Sequence, residues 1–209
     1  MSEPTDLPPS AARDAALERL RNEHRMLARV IEALETLTAE TAEGITALDF
    51  TLLAAMLYYV DAVPERLHHP KEDQYLFVAL RMRDPGQAAL IDRLEREHQR
   101  APQLIGELER ALVHWQGGAP DGLEQFVLAL GNFSEFHWAH MRTEETELLP
   151  AAERSFTEAD WIRIADAFCA NDDPLFGTYR HRQFERLYHR IVNLSPRKLK
   201  LSLLKPKSG

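Results

Sequence analysis

The chain has 209 residues, a formal net charge of −8 and a single cysteine, Cys169. That length suits one domain burying about 70% of its unfolded surface, and one cysteine excludes an internal disulfide framework and any zinc site built from cysteine pairs. An acidic chain lacks the basic surface that phosphate binding needs, so nucleic acid is not an expected partner. Residues 1–10 read as polar without a secretory signal, and the longest apolar run, nine residues over 52–60, falls short of the ~20 needed for stable membrane insertion, so a soluble cytoplasmic protein is expected.

Residues 11 to about 38 carry Leu17, Leu20, His24, Leu27, Ile31 and Leu34 at steps of three and four, one stripe of a helix on which His24 takes a buried place. A second helix is expected from about 46 through Leu53, Leu57 and Val60 toward 80, kinked or interrupted where Pro64 and Pro70 each remove a backbone donor. A third, from about 85 to 114, repeats the rhythm with Ile91, Leu94, His98, Ala101, Ile105, Leu108 and Leu112. The Gly-Gly-Ala-Pro-Asp-Gly string at 117–122 is a turn, and the fourth helix carries Phe126, Leu130, Phe133, His137, His140 and Glu144 before Pro150 closes it. Four long amphipathic helices with no strand-period segment predict an all-α, antiparallel up-down-up-down four-helix bundle. Two additional C-terminal helices should pack across it. Thr157 is a natural N-cap for one running to about 171, and after a turn at 171–174 the other covers 175–194. Residues 11–155 are thus expected to form the bundle, 156–195 a helical extension and 196–209 a basic tail, solvated and partly disordered. After Ser195 there are five basic residues and no acid, which leaves −13 for the rest of the chain.

The chemistry sits in a duplicated pattern. Glu23-His24 is followed at a distance by His68-x-x-x-Glu72, and Glu97-His98 by His140-x-x-x-Glu144; the two histidine separations are 44 and 42 positions. Positions i and i+4 of a helix share a face, so each His-x-x-x-Glu pair presents an imidazole and a carboxylate to one interior point. Any one of these histidines alone is more often a satisfied core or surface residue, and a lone His-x-x-x-Glu is ordinary surface decoration. Joint occurrence in duplicated order on apolar stripes is what points to metal. Two carboxylates in an apolar interior need compensation, and a pair of cations supplies it. Four imidazoles with two carboxylates suit iron, manganese or zinc.

Neighbouring residues are less sharply placed. His137, one turn before His140 on the same face, is expected beside the site, hydrogen-bonded to a ligand rather than ligating. His69 should turn about 100° away from His68, toward an outer-shell or surface position, unless Pro70 distorts the helix. Asp73 and Glu145 are expected to face outward or brace neighbouring helices, Tyr75 and Trp138 to pack, and His114, His181 and His189 to carry no chemistry. Ferritin-like bundles use Glu-x-x-His, the opposite order from the pairs here.

The strings Asn22-Glu23-His24-Arg25, His68-His69-Pro70-Lys71-Glu72-Asp73, Arg96-Glu97-His98-Gln99 and His140-Met141-Arg142-Thr143-Glu144-Glu145 together resemble the hemerythrin-like cation-binding domain, over roughly residues 15–153. The resemblance implies an antiparallel bundle around a non-haem centre of two iron ions, with His24, His68, His98 and His140 as terminal ligands and Glu72 and Glu144 as bridging carboxylates. Pro102 stands where oxygen-carrying members have the second histidine of a His-x-x-x-His pair, so the chain looks closer to the branch with four histidines and two glutamates. That branch includes iron-sulfur cluster repair proteins, whose N-terminal paired cysteines this sequence lacks. The implied activity is binding or reacting with a small ligand (dioxygen, nitric oxide or peroxide) or handling iron. A di-iron redox enzyme, such as a peroxidase or an oxygen or nitric oxide reductase, and a metal-dependent sensing module are the alternatives.

Overall fold

A computed structural model describes residues 11–169 and, beyond them, 186, 189, 191 and 193. Among the described residues the chain is helical with no strand, and no helix is long and apolar enough to cross a membrane. Helix α1 spans Ala11–Ala42, four residues beyond the expected end. Helix α2 (Phe50–Val60) starts later than expected because Asp49 caps it, its carboxylate accepting from the backbone N–H groups of Thr51 and Leu52 at 2.9 and 3.1 Å.

The two internal prolines interrupt the α winding of the second long segment, as expected, but not its helical course. Helix α2 continues into a π-helical segment, π1 (Asp61–His68), one turn α3 (His69–Lys71), a second π segment, π2 (Glu72–Phe77), and α4 (Val78–Arg83). In an α-helix a proline ring collides with the carbonyl four residues earlier and leaves it unbonded; the wider π turn relieves both. The His69 N–H accordingly reaches back five residues to the Pro64 carbonyl.

After a short 3₁₀ turn, α5 spans Ala88–Gln116. The loop that follows places Gly118 at φ +81° and brings Gly122 so close to Trp115 that an added Cβ would lie 2.5 Å from its Cα, which explains the glycines. Helix α6 (Gly122–Thr143) runs into π3 (Glu144–Leu148) and α7 (Leu149–Ser155). Pro150 therefore does not end the segment. It falls at the first turn of α7, where a missing N–H costs nothing, and the Leu149 N–H bonds five residues back to Glu144. Helix α8 (Glu158–Cys169) opens on a reciprocal cap, Asp160 accepting from the Thr157 N–H at 2.9 Å and Thr157 Oγ1 from the Asp160 N–H at 3.4 Å. Arg83 ties α4 to α8 through Asp160 at 2.8 Å. Of the expected last helix, 175–194, only residues 186, 189, 191 and 193 are described; they are helical, and Ile191 is buried. The expected turn at 171–174, His181 and the tail at 196–209 lie outside the described residues.

Contacts close a ring: α1 meets α2 and α6, and α5 meets α2 and α6, while α8 lies on α1. The interior is layered. One apolar cluster holds Leu27, Ile31, Leu34, Met56, Tyr59, Val60, Leu104 and Phe133; the other holds Leu17, Leu20, Leu76, Phe77, Ile91, Leu94 and Leu148. Along each long segment the buried histidines and glutamates fall between the two. His24 lies between Leu20 and Leu27, His68 and Glu72 between Val60 and Leu76, His98 between Leu94 and Leu104, and His140 and Glu144 between Phe133 and Leu148. Each fully buried leucine is worth roughly 1.5–3 kcal/mol relative to exposure. The two apolar clusters hold the helices together, and the polar layer between them is a cost until its charges are compensated.

Candidate metal centre

All six residues singled out by the duplicated pattern, His24, His68, Glu72, His98, His140 and Glu144, are buried and brought together. Their side chains fall into two groups, His24, His68, Glu72 and Glu144 in one and His69, Glu72, His98 and His140 in the other, the potential ligand atoms of each lying within 4.8 Å of one another. The Nε2 atoms of His24 and His68 are 3.0 Å apart, and those of His98 and His140 are 3.2 Å apart. Glu72 sends Oε1 to His68 Nε2 at 3.2 Å and Oε2 to His98 Nε2 at 3.5 Å. Glu144 sends Oε2 to His24 Nε2 at 3.2 Å and Oε1 to His140 Nε2 at 3.2 Å. Each carboxylate thus offers one oxygen to each histidine pair.

These contacts are not hydrogen bonds. All four carboxylate oxygens of Glu72 and Glu144 are buried without a hydrogen-bond partner. The outward ring nitrogens explain why. His24 Nδ1 lies 3.1 Å from Glu145, His68 Nδ1 2.7 Å from Glu23, His98 Nδ1 2.7 Å from Asp73 and His140 Nδ1 2.8 Å from Glu97. A carboxylate only accepts, so the ring N–H sits on Nδ1 and the inward Nε2 of the neutral imidazole carries a lone pair. Lone pairs then face lone pairs across about 3 Å. Ligands held about 2.0–2.2 Å from a common ion are themselves about 3 to 3.5 Å apart, so the donor set fits a cation in each group.

Electrostatics says the same of the bare protein. Burial opposes charging of His68, but Glu72 and Glu23 outweigh it and raise its pKa well above the usual value. Burial is likewise outweighed by Asp73 and Glu144 at His98, raised to about 9, and by Glu144 and Glu97 at His140, raised to about 10. His24 is raised by Glu144 and Glu145 against its own burial. Burial would raise Glu144, yet His140, His24 and His98 hold it well below the carboxylate range. The buried carboxylates therefore draw positive charge to this spot, which a cation can supply.

The four outward carboxylates are an unexpected regularity. Glu23, next to His24, orients His68, and Glu97, next to His98, orients His140; Asp73 and Glu145, each next to a buried glutamate, orient His98 and His24. Asp73 and Glu145 brace neighbouring helices as one of the sequence alternatives had it. Glu23 and Glu97 carry a role the sequence reading missed, although the repeated Glu-His dipeptide signalled it.

His137 is fully buried beside the site but belongs to neither group, and the expected hydrogen bond to a ligand is not made: its Nδ1–H donates instead to the Phe133 carbonyl at 2.9 Å, one turn earlier on the same helix. Its Nε2 faces Glu65 Oε1 at 3.9 Å. His69 departs most from expectation. It is buried, 5% exposed, and its ring stacks on that of His98 with centroids 4.0 Å apart. The reason is π1, whose wider turn rotates less per residue and leaves both His68 and His69 facing inward. Glu65, one turn earlier and half-buried, approaches His69 Nδ1 at 3.4 Å. His114 is exposed beside Asp121, and His189 is exposed. A cleft of about 270 Å³ between α1 and α6 is lined by His24, Ala28, Trp138 and Met141 among others.

No curated protein matches the chain. The family model described as the Hemerythrin HHE cation binding domain matches residues 15–152, a span that contains all six residues of the duplicated pattern and every carboxylate that orients a histidine. With a buried histidine and glutamate cluster fit for cations inside a helical fold, the chain belongs to the hemerythrin HHE cation-binding family.

Proposed function

We propose that the protein is a cytoplasmic non-haem di-iron protein that binds or reacts with a small ligand. In this reading His24 and His68 hold one ion, His98 and His140 the other, and Glu72 and Glu144 bridge them. The observation that carries it is the division of each buried carboxylate, one oxygen to each histidine pair. An antiparallel up-down-up-down course is supported by the order in which successive long segments cross the layers: α1 passes from the Leu17 cluster to the Leu34 cluster, α2 to α4 returns, and α5 and α6 repeat the pair. Residues 11–155 form the metal-binding unit, and the chain from 156 onward is an addition to it. The net charge of −8 favours a small molecule over nucleic acid as partner.

Iron bound there would supply reversible binding or one-electron chemistry toward dioxygen, nitric oxide or peroxide. The residues do the rest. The outward carboxylates fix each imidazole with its lone pair inward and raise its basicity, the two apolar clusters exclude water, and the cleft beside His24 gives a small molecule an approach between Trp138 and Met141.

The test is metal analysis and optical spectroscopy of protein loaded anaerobically with ferrous iron. Two ions per chain, and an absorption change on adding dioxygen that reverses on its removal, support a carrier; rapid irreversible oxidation supports a redox enzyme of the same centre. Failure to retain iron, with helical content intact, contradicts the reading.

A further inference from the structure

Beside the six residues stand three further ionisable side chains, Glu65, His69 and His137. Glu65 Oε1, His69 Nδ1 and His137 Nε2 each lack a hydrogen-bond partner. Counting from the repeat, Glu65 stands three before His68 as His137 stands three before His140, so the two are counterparts that face one another at 3.9 Å. The counterpart of His69 is Met141, which lines the cleft. The duplication is broken at one point, and the break supplies an imidazole.

We propose that His69 is a fifth histidine ligand, binding through Nε2 the ion held by His98 and His140, with Glu65 as its positioning residue. This rests on the di-metal reading above. His69 has a ring nitrogen within 4.8 Å of ligand atoms of Glu72, His98 and His140, and its ring also lies edge-on to His140 at 5.3 Å between centroids. The stronger argument is orientation. The other four histidines each hydrogen-bond Nδ1 to a carboxylate and turn Nε2 to the interior; His69 also turns Nδ1 toward a carboxylate, Glu65 Oε2 at 3.4 Å, though at longer range and without a hydrogen bond. A carboxylate placed behind an imidazole is the usual device for orienting a metal ligand. It is costly to withdraw from water otherwise, and the Glu65 side chain is only 7% exposed. His137, anchored by its Nδ1–H on Phe133, stands at the other oxygen of Glu65. The centre becomes lopsided, with three imidazoles on one ion and two on the other. Because a ring must contain its ion in its own plane, the 13° stack of His69 on His98 has to tilt when the ion binds.

Crystals of the wild-type chain loaded with ferrous iron, together with anaerobic iron titrations of wild type, His69→Ala and Glu65→Gln, test this. The expected structure has His69 Nε2 about 2.1 Å from the ion it shares with His98 and His140. In solution His69→Ala should keep one ion at wild-type affinity and bind the other at least tenfold more weakly, and Glu65→Gln should weaken the same ion by roughly tenfold, with far-UV circular dichroism unchanged. Two ions bound with His69 beyond bonding distance, or equal affinities in wild type and His69→Ala, overturn the fifth ligand and leave the di-metal reading standing. A wild-type chain that holds no iron overturns both. If His69→Ala loses helicity, the wild-type crystal and Glu65→Gln decide.

Discussion

The two halves of the polar layer share one plan and differ in their surroundings. On the His24 and His68 side, His24 borders a cleft between α1 and α6, and His68 meets Phe168 edge-on at 5.9 Å between centroids. On the His98 and His140 side, the rings are walled in: Phe77 stacks on His98 at 5.3 Å, Phe136 on His140 at 6.2 Å, and His69 on His98 at 4.0 Å. Duplication supplies matching donors, and a local change of helical winding makes the halves unequal. The π turn of the second segment precedes His69, whereas that of the fourth begins at Glu144, after His140.

The sharpest way to break this comparison is to remove what both halves share. Glu144→Gln should cost most of the bound iron on both sides, because each oxygen serves a different histidine pair, whereas Glu145→Gln should retain two ions at reduced affinity; metal analysis of the two variants that finds equal losses removes the bridging assignment. His98→Ala acts on one half alone and should bring bound iron well below two per chain while circular dichroism stays unchanged.

Orienting carboxylates should matter less. Glu23→Gln and Glu97→Gln leave every ligand in place, and each is expected to lower the affinity of one ion by about 10- to 100-fold in titrations, Glu23→Gln on the cleft side and Glu97→Gln on the walled side. The bare protein offers a pH test. His98 and His140 have folded pKa values of about 9 and about 10 against 6.5 for the free side chain. A group raised in this way contributes stability in full below its unfolded value and loses it as pH rises through the folded one. Thermal unfolding of chelator-treated protein should therefore fall in midpoint from neutral pH through about 10, while iron-loaded protein, whose carboxylates are neutralised by ions rather than protons, changes less. The smallest effect is expected from Met141→Trp, which narrows the cleft and should slow the reaction with dioxygen in stopped-flow traces without changing iron content.

Much of this was legible in the residues. The stripe of leucines around His24 and His98 and the two His-x-x-x-Glu pairs marked the helices and all six inward groups, because i and i+4 share a helical face whatever the rest of the protein does. What escaped depended on departures from α-helical winding. His69 was expected to turn away from His68 on the assumption of about 100° per residue, and the π turn around Pro64 keeps it inside instead; Pro64 and Pro70 were expected to kink or interrupt the helix, and α winding does give way there to π turns. Pro150 was read as a stop and instead opens α7. Glu23 and Glu97 were visible as half of a repeated dipeptide. Their task was not, since it is performed on a histidine of another helix. Glu65 left only the spacing Glu-x-x-x-His, which on a surface helix means nothing.

The central claim is that the facing lone pairs and unpartnered carboxylates exist to hold two cations. Diffraction at the iron absorption edge from crystals of the ferrous-loaded chain tests it most directly. Two anomalous peaks are predicted, one between His24 and His68 and one between His98 and His140, with Glu72 and Glu144 each touching both. Helical protein with full iron in the drop and no anomalous signal in that layer would contradict it.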